Sequence, residues 1–282
     1  MTTPFDAPNW RGLSQEALDS GLNNSAAVAG SGDMVERWGK LSADMRARHG
    51  AHLNLPYGPR ERNRIDFLKT QMPNAPTLLF IHGGYWQARA KEFFTLFAAG
   101  PMAHDINVAL IGYTLAPDAT LDQIVAEIHA GIDYLAGQLP ELGADAKRLV
   151  ASGWSAGGHL TAMAMMNSHI KGGVAISGIY DLGPIRHSYL NIKLGLDEAM
   201  SRRNSPMAHA EGPMKPLSLV VGGAELPLLR KQTADFAGHR AKYGLPVTYE
   251  EIPGANHFTI MDEMGSPSGR ITTLIRQVME RI

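Results

Sequence analysis

The chain has 282 residues, of which 44% are hydrophobic, and 26 Lys and Arg against 27 Asp and Glu give a formal net charge of −1. This composition supplies one large buried core and excludes disordered, collagen-like and coiled-coil proteins. Since there is no basic excess to neutralise phosphates, we expect no nucleic-acid partner.

The predicted elements begin with a helical N-terminal arm over residues 1–50. Apolar residues recur there every three or four positions and predict helices over 14–22 and 34–47. From residue 51 onward, strands and helices alternate. The predicted strands cover residues 51–57, 63–68, 77–81, 107–113, 148–153, 173–177, 217–222 and 247–251. The predicted helices of this part cover residues 91–103, 121–139, 156–167, 227–243 and 266–282.

The strands contain apolar runs such as LLFIH, VALIG and LSLVVG, which are typical of strands covered on both faces. Strands that alternate with helices indicate a mostly parallel central sheet with right-handed crossovers. We therefore predict a single α/β domain over residues 1–282. Ligands of such sheets bind at the carboxyl ends of the strands, so residues 184–213, which lack periodicity, are predicted to form a small cap segment there.

Cysteine is absent, which excludes disulfides, iron–sulfur clusters and a cysteine nucleophile and fits a cytoplasmic protein. The start of the chain, MTTPFDAPNW, does not read as a signal peptide. No stretch approaches the roughly 18 apolar residues of a membrane span. We expect a cytoplasmic location without a membrane partner. The sequence leaves open whether the protein forms a homodimer.

Residues 153–157 read Gly-Trp-Ser-Ala-Gly where the predicted strand RLVAS meets a predicted helix. A G-x-S-x-G sequence at such a junction is typical of a nucleophile elbow, a tight turn that lifts the serine hydroxyl above the sheet. The glycines are required because a side chain at either position would collide with the neighbouring strand or helix. Ser155 also lies at a helix N-terminus, which favours negative charge. We predict that Ser155 is a catalytic nucleophile.

Residues 82–86 read His-Gly-Gly-Tyr-Trp and directly follow the predicted strand LLFI. Two glycines after a strand let the backbone turn its N–H groups into the crevice, where they can bind an oxyanion. An ordinary Gly-Gly turn beside a packed Tyr-Trp pair is the alternative. Gly83 and Gly84, together with the N–H of Ala156, are therefore the candidates for the oxyanion hole.

A serine hydroxyl needs an adjacent base, and the chain order of such a triad on this type of sheet is serine, acid, histidine. Among 11 histidines, His257 has the right position, between the strand VTYEEI and the last helix. Glu225 follows the strand LSLVVG and a Gly-Gly turn, where the acid is expected, and glutamate is a known variant. Asp181 and Asp262 remain alternatives for the acid.

Other chemistry is not indicated by the sequence. It contains no H-E-x-x-H, paired His-x-His, calcium loop, P-loop or dinucleotide fingerprint, so we expect neither a metal nor a cofactor. We assign His82 and His159 to packing or to support of the site.

Together these motifs resemble the α/β-hydrolase superfamily and, within it, the kynurenine formamidase (arylformamidase) group. The resemblance covers nearly the whole chain and is carried by HGGYW, GWSAGGHL, SGIYDL and GGAELPLLRKQ. It implies hydrolysis of N-formyl-L-kynurenine to kynurenine and formate in tryptophan breakdown, with Ser155 as nucleophile and His257 as base. The resemblance also implies that the oxyanion hole comprises Gly83, Gly84, Tyr85 and Ala156. Glu225 is a departure, because such enzymes commonly have aspartate there.

Three hypotheses follow. The leading one is a serine hydrolase that cleaves a small aryl formamide through an acyl-enzyme. The second is a carboxylesterase for short-acyl or aryl esters, and the third is a non-catalytic binding protein, which the complete set of motifs disfavours. Trp86, Trp154 and Tyr180 are predicted to line an aryl-sized substrate pocket, although core packing explains such rings equally well. The sequence does not choose between Arg186, Arg202 and Arg203 as an anchor for a substrate carboxylate.

Overall fold

A single sheet runs through the computed structural model, which describes residues 12–209, 212 and 214–282. Within these residues the sheet has eight strands in the order β1-β2-β4-β3-β5-β6-β7-β8. The pairs β1–β2 and β2–β4 are antiparallel and the other pairs are parallel. The strands are β1 Leu55–Pro56, β2 Arg64–Leu68, β3 Ala75–Ile81, β4 Asn107–Ile111, β5 Ala144–Trp154, β6 Ile170–Ile176, β7 Leu217–Gly222 and β8 Val247–Ile252. This mostly parallel sheet confirms the predicted α/β-hydrolase fold.

The helices lie on both faces of the sheet. They are α1 Gln15–Ser20, α2 Asn24–Ala27, α3 Ser31–Arg48, α4 Ala99–Met102, α5 Leu121–Gln138, α6 Ala156–Ala164, α7 Gly183–Arg186, α8 Asn191–Leu194, α9 Glu198–Arg203, α10 Pro227–Lys242, α11 Asp262–Gly265 and α12 Arg270–Met279. Short 3₁₀ helices cover Gly50–His52, Lys91–Ala98, Pro206–His209 and Thr259–Met261. In the described part of the chain, no helix is both long and apolar enough to cross a membrane.

Two apolar layers sandwich the sheet because successive side chains of a strand point to opposite faces. On β3, Leu79 and Ile81 pack with α5, α6 and α10, whereas Leu78 and Phe80 pack with α3 and α12. Every residue of β3, β4 and β7 is buried. Burial on both faces explains why these strands carry unbroken apolar runs.

Two predicted elements differ in detail from the structure. Of the strand predicted over 51–57, only β1 pairs with the sheet, because Asn54 has a positive φ of 57° that interrupts an extended chain. The helix predicted over 91–103 is a 3₁₀ helix followed by α4. Since proline is tolerated only in the first turn of an α-helix, Pro101 allows a helix that begins at Ala99 but not one that runs through it. The remaining predicted elements agree with the structure to within four residues at each end.

The segment predicted as a cap, residues 184–213, is more regular than its sequence pattern indicates. It contains α8, α9 and the 3₁₀ turn Pro206–His209, all too short to show periodicity. The side chain of Asp197 caps α9 by accepting a hydrogen bond from the N–H of Met200. Residues 210, 211 and 213 of the segment, and residues 1–11 of the arm, lie outside the described part of the chain.

Candidate active site

Ser155 occupies the sharp turn between β5 and α6. Its φ of 59° and ψ of −118° are strained for a residue with a side chain, and its N–H donates to the carbonyl of Ile176 at 2.8 Å. A Cβ at Gly157 would lie 1.9 Å from the carbonyl oxygen of Ile81, and one at Gly153 would lie 2.4 Å from the carbonyl oxygen of Gly157. Only glycine therefore fits on either side of the serine.

His257 and Glu225 form a buried pair. His257 Nδ1 lies 2.6 Å from Glu225 Oε2, and the side chains are 4% and 0% exposed. The other carboxylate oxygen, Oε1, accepts hydrogen bonds from Ser177 Oγ at 2.5 Å and from the N–H of Gly222 at 2.7 Å. Since an ionised carboxylate only accepts hydrogen bonds, Nδ1 carries the proton and Nε2 is left as the basic nitrogen.

The two alternative acids have other contacts. Asp181 accepts a hydrogen bond from the N–H of Gly183 at 2.8 Å, and its own N–H donates to Gln232 at 2.9 Å. Asp262 is the first residue of α11, where burial raises the pKa of its carboxyl group. The geometry thus favours Glu225 as the group that orients the imidazole of His257.

Trp154, the last residue of β5, supports the histidine. Its Nε1–H donates to the carbonyl oxygen of His257 at 2.7 Å, and its ring centroid lies 4.8 Å from the imidazole. The rings of Trp38, Phe94 and Phe258 surround the indole at 5.6–5.8 Å. The sequence predicted Trp154 as a pocket or core residue and not as a support of His257, because no local pattern reveals a partner 103 positions away.

The Gly-Gly loop lies directly against the serine turn. A Cβ at Gly83 would be 3.1 Å from Ser155 Cβ, and one at Gly84, where φ is +116°, would be 2.2 Å from the carbonyl oxygen of Ala88. Tyr85 continues the loop with a positive φ of 49°. Ala156 is the first residue of α6, so its N–H has no acceptor within the helix. The structure therefore brings Gly83 and Ala156 to the same turn as Ser155.

Two buried histidines support the loop and the helix behind it. His82 stacks on Tyr113 with centroids 4.2 Å apart, and its Nδ1 donates to the carbonyl of Gly83 at 2.8 Å. His159 donates through Nε2 to the carbonyl of Asn204 at 2.7 Å. Burial lowers the pKa of His82 to about 3 and that of His159 to about 4, so both stay neutral. Their predicted assignment to packing and support is confirmed.

The other predicted pocket residues, Trp86 and Tyr180, are fully buried. The Trp86 ring meets the His159 ring edge-on at 4.9 Å, and the Tyr180 ring stacks on Phe236 at 4.6 Å. These are the packing contacts that the sequence left as an alternative. Trp86 Nε1 is buried without a hydrogen-bond partner among the described residues.

The N-terminal arm reaches the same loop, which sequence reasoning missed. The Tyr85 hydroxyl donates to the carbonyl oxygen of Leu22 at 2.6 Å and accepts from Asn24 Nδ2 at 3.1 Å. From the predicted cap segment, the carbonyl of Leu190 accepts a hydrogen bond from Gln87 Nε2 at 2.8 Å. The arm, the loop and the cap segment thus meet beside the serine turn. The asparagine is 61 positions from the tyrosine, so no spacing in the sequence shows the contact.

A metal-dependent reaction has no ready ligand set here. Within residues 12–209, 212 and 214–282, the structure shows no group of three or more His, Asp or Glu side chains arranged to hold an ion. What the site does provide is an imidazole held by a carboxylate, a serine on a strained turn and backbone donors next to it. These are the parts of a nucleophilic acyl-transfer site.

Comparison with known proteins agrees with this geometry. The BD-FAE family model matches residues 65–181. A kynurenine formamidase from Salmo salar is 32% identical over 246 residues, which cover 80% of this chain and 81% of that protein. The chain belongs to the kynurenine formamidase family. A second kynurenine formamidase, from Danio rerio, is 27% identical, and the match covers 80% of this chain and 81% of that protein.

Among solved structures, a protein from Silicibacter sp. TM1040 that is named only provisionally as a thioesterase superposes with a TM-score of 0.85. It is 25% identical, and the match covers 92% of this chain and 98% of that one. Membership of the kynurenine formamidase family makes the chain a hydrolase of small molecules and confirms the resemblance seen in the sequence.

Proposed function

We propose that this hydrolase cleaves a small aryl formamide, and specifically N-formyl-L-kynurenine to L-kynurenine and formate. The observation that carries the proposal is the His257–Glu225 pair, whose histidine is hydrogen-bonded by Trp154, the residue before Ser155. The chain also matches two kynurenine formamidases over 80% of its length. We assign Ser155 as the nucleophile, His257 as the general base and Glu225 as the acid that orients it.

The reaction begins when His257 Nε2 takes the hydroxyl proton of Ser155 as the serine oxygen bonds to the formyl carbon. The carbonyl oxygen becomes an oxyanion, which we propose is held by backbone N–H groups of Gly83, Gly84, Tyr85 and Ala156. Donors aimed at a developing charge supply much of the rate enhancement of such sites. When the carbon–nitrogen bond breaks, the imidazolium gives its proton to the departing arylamine.

Water completes the reaction. His257 takes a proton from the water as the oxygen attacks the formyl ester, the bond to Ser155 Oγ breaks, and the serine oxygen recovers its proton from the imidazolium. Formate leaves, and no cofactor is consumed. Glu225 stabilises the imidazolium in both halves of the reaction without becoming protonated.

We propose that Trp86, Trp154 and Tyr180 contribute to an aromatic wall for the aryl ring of the substrate. Trp154 supports this proposal best, because its ring centroid lies 4.8 Å from that of the His257 imidazole. The unpartnered Nε1 of Trp86 is consistent with a polar contact that a substrate would complete.

Ester hydrolysis is the second candidate. The same serine, base and oxyanion donors cleave esters by the same steps, and the provisional thioesterase name of the Silicibacter protein favours this class. The natural substrate would then be a short-acyl or aryl ester.

The two candidates are separated by kcat/KM on N-formyl-L-kynurenine beside 4-nitrophenyl acetate. Deformylation near 10⁴ M⁻¹s⁻¹ or above, roughly the low end for ordinary enzymes, and well above the ester rate supports the proposal. Fast ester cleavage with negligible deformylation would agree with the catalytic triad but would exclude N-formyl-L-kynurenine as the substrate. Ser155→Ala is the control for background hydrolysis.

We also propose that the enzyme works in the cytoplasm, which its cysteine-free composition supports. Its near-neutral charge supports a small-molecule substrate rather than nucleic acid as its partner. A homodimer stays a prediction, which light scattering of the purified protein tests.

A further inference from the structure

Asn24 presents an oriented and unused acceptor at the edge of the candidate active site. It is the first residue of α2 and only 5% exposed. Its neighbour, the Tyr85 hydroxyl, has a single proton, which it donates to the carbonyl of Leu22 at 2.6 Å. The 3.1 Å contact between Asn24 and Tyr85 must therefore be donated by the amide Nδ2. This orients the amide and directs Oδ1 away from the tyrosine.

No donor reaches this oxygen within the described part of the chain. Asn24 Oδ1 is buried and has no hydrogen-bond partner there. Buried acceptors are almost always paired, because an unpaired one costs free energy. The local helix does not supply the donor, since α2 is capped at its start by Asn23, whose oxygen accepts from the N–H of Ala26. The acceptor is thus available for a group other than the described residues.

The position of the acceptor links it to the reacting groups. Tyr85, which holds the amide, follows Gly83 and Gly84, and Gly83 lies directly against Ser155. Burial raises the pKa of the Tyr85 hydroxyl, and the nearby Tyr189 hydroxyl and Glu225 carboxylate raise it further. Through its 3.1 Å hydrogen bond to Tyr85, Asn24 therefore borders the loop that lies against Ser155.

We propose that Asn24 Oδ1 is a substrate-binding acceptor that takes an N–H donor of the substrate and so favours amides over esters. This inference rests on the proposed function. N-formyl-L-kynurenine carries two such donors, the N–H of the scissile formamide and the ammonium group of its amino-acid side chain. An ester of a simple alcohol or phenol carries neither. The oxygen that replaces the formamide N–H in an ester carries no hydrogen, so it cannot donate a hydrogen bond to Asn24 Oδ1. The preference for amides over esters follows from this difference.

The test uses Asn24→Leu, which keeps the branching of the side chain but removes both the Oδ1 acceptor and the Nδ2 donor to Tyr85. Asn24→Ala is a second variant in case leucine does not fold. Asn23→Ser is the matched control on the same helix, because serine also accepts the capping hydrogen bond. Three substrates distinguish the donors: N-formyl-L-kynurenine has both, formanilide has only the scissile N–H, and 4-nitrophenyl acetate has neither. Thermal melting checks that each variant is folded.

We expect kcat/KM for N-formyl-L-kynurenine to fall by about tenfold if the donor is the neutral N–H, and by about 100-fold if it is the ammonium. The rate on 4-nitrophenyl acetate should change little, and Asn23→Ser should resemble the wild type on all three substrates. A loss on both formamides assigns the scissile N–H, and a loss on N-formyl-L-kynurenine alone assigns the ammonium.

Two outcomes overturn the proposal while leaving the proposed function intact. An equal loss on all three substrates would show that Asn24 only holds the Tyr85 loop, and no loss on any substrate would show that its oxygen is not used. Wild-type protein that hydrolyses the ester but neither formamide would instead overturn the proposed function, and the subsite with it.

Discussion

Replacement of Glu225 by glutamine tests the site most sharply, because the structure dictates how the new amide must sit. Oε1 of the carboxylate accepts from the fixed N–H of Gly222 at 2.7 Å and from Ser177 Oγ at 2.5 Å. The amide oxygen must take this place, since an NH₂ group there would face a backbone donor. The NH₂ group then points at His257 Nδ1, which the carboxylate oxygen approaches to 2.6 Å.

An NH₂ group beside Nδ1 makes that nitrogen an acceptor and moves the imidazole proton to Nε2. A protonated Nε2 cannot take the proton of Ser155. We expect kcat to fall by about 10⁴-fold, which corresponds to roughly 5–6 kcal/mol of transition-state stabilisation. Folding should change far less, by about 1–2 kcal/mol, since every buried hydrogen-bond position stays occupied.

The assay is steady-state deformylation, with thermal unfolding of each variant by circular dichroism. Glu251→Gln is the matched control, because Glu251 is paired with Arg230 at the surface and such pairs contribute little. The reasoning is refuted if Glu225→Gln retains more than about a tenth of the wild-type kcat. It is refuted equally if Asp181→Asn shows the large loss instead.

Three further predictions concern the groups around the pair. Because burial lowers the pKa of His82 to about 3 and that of His159 to about 4, the unfolded chain binds more protons below about pH 6.5. The free energy of unfolding in urea should therefore fall between pH 7 and pH 5 by on the order of 2 kcal/mol for each histidine, and a flat profile would contradict this. Gly84→Ala forces a Cβ to within 2.2 Å of a backbone oxygen at a φ of +116°, so kcat should drop at least about 100-fold, and an unchanged kcat would count against the loop assignment. Trp154→Phe removes the donor to the His257 carbonyl, so urea unfolding should show a loss of about 1–2 kcal/mol, and equal stability would show that this hydrogen bond does not matter.

Much of the fold and the core of the site could be predicted because their signals are local. The strands β3, β4 and β7 are buried on both faces, and an unbroken apolar run follows directly from that burial. The turn at Ser155 needs glycine on either side, so a pattern of five consecutive residues is enough to predict it. Glu225 and His257 were found from the order of strands along the chain.

Contacts between distant segments could not be predicted. The hydrogen bonds from Trp154 to His257 and from Asn24 to Tyr85 join residues 103 and 61 positions apart. Trp and Asn residues are common in cores and turns, and nothing in their neighbourhoods distinguishes these two. The short helices α8 and α9 were not predicted for another reason. Four to six residues are too few to show a periodicity of 3.6.

The central claim is that Ser155 becomes covalently acylated with His257 as its base. It is tested most directly by treating the protein with a fluorophosphonate and locating the adduct by mass spectrometry of its peptides. We expect one adduct, on the peptide that contains Ser155, lost in Ser155→Ala and formed much more slowly in His257→Ala. Labelling that persists in Ser155→Ala, or a wild-type protein that deformylates N-formyl-L-kynurenine but never labels, would contradict the account.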